Sequence, residues 1–92
     1  MASTVNYLDA LGAKLGLRSD ASIARALGVK RQSVSRYRIY AISMDDDVAL
    51  RAADLLGIRP ATILLDMYHE RTRNPAVKQV WRDAVELMAA AS

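Results

Sequence analysis

Apolar residues return along this chain at spacings of three and four, the period of helices that each bury one stripe. Val5, Leu8, Leu11 and Leu15 mark a first helix, which Ser3 can cap and Gly16 can end. Ser19 is the expected N-cap of a second helix, Asp20 to Leu27, with Ile23 and Leu27 on its inner side and Asp20 at the positive end of its dipole. A third runs from near Lys30 to about Ile39 on Val34 and Tyr37. Ser43, with Asp46 three residues later, forms a capping-box variant for a fourth helix, Met44 to Leu56, whose Val48, Ala52, Leu55 and Leu56 face inward and which Gly57 ends. Pro60 suits the first position of a fifth, where its missing N–H is not needed. There Ile63, Leu64, Leu65, Met67 and Tyr68 cover more than half of the circumference, so the helix is expected to meet two partners. Asn74 and Pro75 open a sixth, to about Ala90, with Val77, Val80, Trp81, Ala84 and Met88 as one stripe and Lys78, Gln79, Arg82, Asp83 and Glu86 opposite; the final AAAS reads as a frayed end. The fold class that follows is all-α, a compact bundle of five to six helices.

The second and third helices form the unit around which the rest is arranged. Their stripes face each other, Ala24 is small enough to let the helices cross closely, and Gly28 tolerates the positive φ that a sharp inter-helix turn demands. Val29 closes the joint from inside. The order Ala24, Gly28, Val34 and Tyr37, with apolar Ile23, Leu27 and Val29 between them, resembles the helix-turn-helix of phage repressors and of the broad Cro/cI-like, or lambda-repressor-like, regulator family. The phrase GVKRQSVSRY carries most of the resemblance, which covers residues 20–38, about a fifth of the chain. It implies a lambda-repressor-like DNA-binding domain over residues 1–73, with residues 74–92 as a C-terminal helix that completes the core or joins two subunits.

Composition narrows the remaining classes. Ninety-two residues, 52% of them apolar, allow one domain with a single core. Cysteine is absent, which rules out disulfides and thiolate metal sites and fits a reducing cytosol. No apolar run approaches the roughly 18 residues that span a bilayer, and MASTVNYLDA lacks a basic start followed by an apolar block, so a soluble cytoplasmic protein without a membrane partner is expected. The net charge of +3 conceals a segregation: residues 14–38 hold seven basic groups against one acid, whereas the remainder holds six against nine. A solvated surface helix is the commoner meaning of a basic run. Here the charge coincides with the helix-turn-helix, and a polyanion-binding face is the preferred reading.

On a helical wheel Gln32, Ser35, Arg36 and Ile39 fall on the outer side of the third helix, and Arg31 projects from its N-terminal tip. A helix in the major groove reads bases near its N-terminus, where arginine suits guanine and glutamine suits adenine. Arg31, Gln32, Ser35 and Arg36 are therefore the base-reading candidates, and Ile39 could cover a thymine methyl. Lys14, Arg18, Arg25, Lys30 and Arg38 are the phosphate candidates, although Arg38 lies nearer the inner side and a structural ion pair is its alternative. The resemblance implies an amide at position 20 that grips phosphate; Asp20 cannot do so, which passes that contact to the hydroxyls of Ser19 or Ser22 or to backbone amides. The resemblance further implies a repressor that binds palindromic double-stranded DNA as a homodimer, its half-sites about 34 Å apart. Val77, Val80, Trp81, Ala84 and Met88 are the expected interface, with Trp81 as anchor.

Rival chemistries are weaker. Asp45, Asp46 and Asp47 lack the alternating ligands and later glutamate of a calcium loop and are better read as complements to a helix dipole. His69-Glu70 begins like a zincin motif, but Arg73 stands where the second histidine belongs. With no Gly-rich phosphate loop and no nucleophile beside a base, neither an enzyme nor a cofactor or metal is expected. A helical adaptor or antitoxin-like module without specific DNA binding is the alternative, and the four cations between Lys30 and Arg38 weigh against it. An antirepressor or other protein partner is not identifiable from the residues.

Overall fold

A computed structural model describes residues 2–91. All regular structure among them is helical: α1 (Thr4–Leu15), α2 (Asp20–Leu27), α3 (Arg31–Tyr40), α4 (Asp46–Leu56), α5 (Pro60–Arg71) and α6 (Pro75–Ala90). The local punctuation explains most of these limits. Ser3 and Ser19 each accept a hydrogen bond from the backbone N–H three residues on, while the side-chain oxygens of Asn6 and Ser22 accept from the backbone N–H of the cap, so two orphan N–H groups are satisfied at each start. Pro60 and Pro75 open α5 and α6, and Asn74 accepts from the Ala76 N–H.

The fourth helix begins later than its sequence implied. Asp45, not Ser43, is its N-cap and accepts from the Val48 N–H at 3.0 Å. The physical reason is Met44, which is fully buried and so belongs to the core plug before the helix rather than to its first turn. Drawing Met44 inward forces the chain to turn sharply after α3, and Ala41 adopts a left-handed φ of 51° with no glycine to ease it. Thr4 fixes the same point. Its hydroxyl accepts from the Met44 N–H at 3.1 Å and donates to Glu70 at 2.6 Å, joining the start of α1, the α3–α4 loop and the end of α5.

The core lies where α1, α2, α3, α4 and α5 converge. Leu8, Leu11, Val34, Met44, Ile63 and Met67 are fully enclosed there, with Ile23, Leu27 and four helix-lining alanines or valines of α4 around them. Leu15, expected inside, is exposed, and Tyr7 takes a core position, its hydroxyl donating to the buried Asp66 carboxylate. Burial and the Asp66 charge push the Tyr7 phenol well above its usual range, and burial likewise raises Asp66. Gly12 allows α1 to approach the next segment: a Cβ there would stand 3.1 Å from the Leu17 carbonyl oxygen, which is tighter than an ordinary contact.

The wide apolar arc of α5 meets two partners, α4 on one side and α6 on the other. α6 packs on α5 and buries no residue fully. It also remains regular through Ala90, so the expected fraying does not reach Ala89 or Ala90, and Ser92 lies outside the described residues.

Candidate nucleic-acid interface

The seat of α3 is built by local sequence. α2 ends at Gly28, whose φ of 73° reverses the chain, and the Val29 N–H closes on the Ala24 carbonyl at 3.0 Å. Three residues, Gly28 to Lys30, therefore join the two helices. Val34 is fully buried and Tyr37 nearly so, which presses one side of α3 into the bundle and fixes what the other side presents.

That other side is polar and cationic. Lys30, Arg31, Gln32 and Arg36 are exposed, as is Ile39, while Ser35 is half-buried and less outward than its wheel position implied. Among the described residues, no hydrogen bond or ion pair occupies the side chains of Arg18, Arg25, Lys30, Arg31, Gln32 or Arg36. They are free to meet an outside partner. Lys30 occupies the N-cap position without capping the helix through its side chain, so its ammonium adds to the positive end of the α3 dipole.

Several expected phosphate ligands are engaged within the chain. Arg38 donates through Nε to Asp20 at 2.9 Å and through Nη1 to Asp9 at 3.0 Å, so the ion pair, not a free phosphate ligand, is its state here. Burial works against its charge, but the hydrogen bonds and charges of the two carboxylates outweigh that and raise its pKa further. Ser19 Oγ donates to Ser22 Oγ, and Ser22 Oγ donates to the Ser19 carbonyl at 2.7 Å. A hydroxyl has one proton to give, so both serines are committed to the helix start and neither keeps a donor for phosphate. Lys14 donates to the Leu56 carbonyl at 2.6 Å, where it caps the C-terminal end of α4. Its role is at least partly structural.

Asp9 is the site residue that sequence reading missed. Its only signal was an isolated acid on the flank of the α1 stripe, 29 positions from the arginine it meets. Arg51 was missed too: its Nε donates to the Ala26 carbonyl at 3.2 Å and so ties α4 to the end of α2.

The expected subunit stripe on α6 divides into two. Trp81 lies with its ring 5.5 Å from that of Tyr68 on α5, and Ala84 and Met88 are half-buried along the same side. Trp81 is thus largely used inside the subunit rather than displayed as an anchor. Val77 and Val80 stand open, joined by Leu87, which is 72% exposed.

No helix of the described residues is long and apolar enough to cross a membrane, and no group of three or more His, Cys, Asp or Glu among them is placed to hold a metal ion. No family model, curated protein or solved structure matches this chain.

Proposed function

We propose that this protein is a sequence-specific double-stranded DNA-binding regulator with a lambda-repressor-like domain, acting in the cytoplasm as a phage-type repressor. The observation that carries the reading is the outer face of α3: Lys30, Arg31, Gln32 and Arg36 are exposed and, among the described residues, unpartnered, on a helix whose opposite side is locked by Val34 and Tyr37. A rigidly seated helix with donors at its tip has the chemistry of major-groove readout. Arg31, Gln32 and Arg36 would contact base edges, with Ser35 behind them; Lys30, Arg25 and Arg18 would hold phosphates. The protein binds rather than catalyses in this reading, and repression follows from blocking access of polymerase to the bound duplex.

Two copies would meet through the open side of α6, at Val77, Val80 and Leu87, and bind a palindromic operator. The same open side favours a second reading, a helical adaptor or antitoxin-like module that engages another protein, because an exposed valine and leucine row serves either partner. Selection of random duplexes on the purified protein at near-physiological salt separates the two. A palindromic consensus is the expected result. Recovery of no enriched sequence, with the protein folded, would leave the adaptor reading in place of the regulator.

A further inference from the structure

Along α3 the charge changes character. Its first two turns hold Lys30, Arg31 and Arg36 without an acid partner among the described residues, whereas at its last turn one guanidinium lies between two carboxylates. Asp9 comes from α1 and Asp20 from the first turn of α2, so the trio joins the three helices that seat the reading face. Asp9, Arg18, Asp20 and Arg38 line one groove between α1 and α2. Arg18, in the loop before α2, makes no ion pair among the described residues.

Within the trio one cation faces two anions, and with Arg18, which lines the same groove, the four groups sum to no net charge. A polyanion approaching the helix is therefore drawn to the uncompensated cations of its N-terminal part and gains no comparable attraction at the base. The carboxylates also occupy two of the five N–H donors of the guanidinium, one on Nε and one on Nη1, and so compete with a phosphate for it. The side chains are only partly covered, 29% exposed for Arg38, 64% for Asp9 and 37% for Asp20. Pairs this accessible to water are weakly held, so the guanidinium can be released without dismantling a buried network.

We infer that Asp9 and Asp20 act as built-in counter-anions that occupy Arg38 and lower the affinity of this face for DNA phosphate. The inference rests on the DNA-binding reading above and adds a residue-level control of its strength. Arg38 is a phosphate ligand in reserve, and the two aspartates keep general DNA binding weak so that the tip residues dominate contact with the duplex.

The test measures binding to a random-sequence duplex across a salt series for the wild type, for Asp9→Asn with Asp20→Asn, and for that pair with Arg38→Gln added. The double variant should bind more tightly, and its plot of log affinity against log salt should steepen by about 0.9, the value of one added phosphate contact. Adding Arg38→Gln should return both to the wild-type values. Equal slopes for the wild type and the double variant would overturn the proposal. So would a gain that survives the loss of Arg38, because removal of negative charge would then suffice without the guanidinium. Asp20→Asn alone keeps an oxygen for the Arg38 Nε–H and disturbs the fold least; if the double variant does not fold, the single one should still tighten random-duplex binding, and unaltered affinity there counts against the inference. A wild type that binds duplex with no gain in the variants removes only the counter-anion role. Absence of duplex binding by every form at low salt removes the DNA-binding reading and this inference together.

Discussion

The outward faces of α3 and α6 are both open to solvent, but α3 presents Lys30, Arg31, Gln32 and Arg36 there, whereas α6 presents Val77, Val80 and Leu87. Their seats differ as much as their surfaces. Beneath α3, Val34 and Tyr37 are sunk in a core to which five helices contribute; beneath α6 there is one helix, and none of its residues is fully buried. Close packing on one side is what lets a helix hold polar side chains at fixed positions on the other. A helix held by a single neighbour keeps apolar area in water, which is stable only while small or when covered by a partner.

The contrast should appear first in stability. Ile23→Ala, in the core beneath α3, should cost about 2–5 kcal/mol, since a buried isoleucine leaves a cavity; Val80→Ala should stay within about 0.5 kcal/mol of the wild type for the folded monomer. Chemical denaturation of both variants measures this, and comparable losses would mean that α6 is as deeply built in as α2. Next, Gln32→Ala or Arg36→Ala should cost about 1–3 kcal/mol on a selected site and far less on random duplex. Competition binding on both duplexes checks it, and equal losses would reduce these side chains to phosphate ligands.

Self-association should respond to the other face. Val80→Glu with Leu87→Glu is expected to weaken it at least tenfold, about 1.4 kcal/mol, with the helical signal retained. Sedimentation at several concentrations reads the change, and an undisturbed dimer would place the contact away from α6.

A pH effect comes from the joint between α5 and α6. His69 is half-buried, its Nε2 has no hydrogen-bond partner among the described residues, and burial, followed by the nearby charges of Lys78 and Arg82, lowers its pKa from the ordinary 6.5. The folded state thus favours the neutral ring. This part of the stability is intact above the unfolded pKa and falls as pH drops from about 6.5 through the lower folded value. Thermal melts of His69→Leu should lack that step; an identical acid-side decline in the variant would assign it elsewhere. The smallest effect should be that of Lys30→Ala, a salt slope shallower by about 0.9 on every duplex. An unaltered slope would take Lys30 off the phosphate list.

Helix limits were legible in the residues because caps and breakers act over three or four positions. Ser3, Ser19, Gly16, Gly28, Gly57, Pro60 and Pro75 each mark a boundary without help from distant segments. The exposed row of Arg31, Gln32 and Arg36 was legible for the same reason, since Val34 and Tyr37 set the phase of the helix. Ser43 misled because it satisfies a local rule that the burial of Met44 overrides.

The sequence alone determined six helices, the turn at Gly28 and a cationic third helix. Tertiary structure decided which of those cations are free. Arg36 and Arg38 are two residues apart and alike in chemistry, yet one faces water and the other meets acids brought from α1 and α2. It also divided the α6 stripe into a side resting on Tyr68 and a side left open. Capping depends on neighbours along the chain, whereas ion pairs and two-sided packing depend on neighbours that only folding brings together.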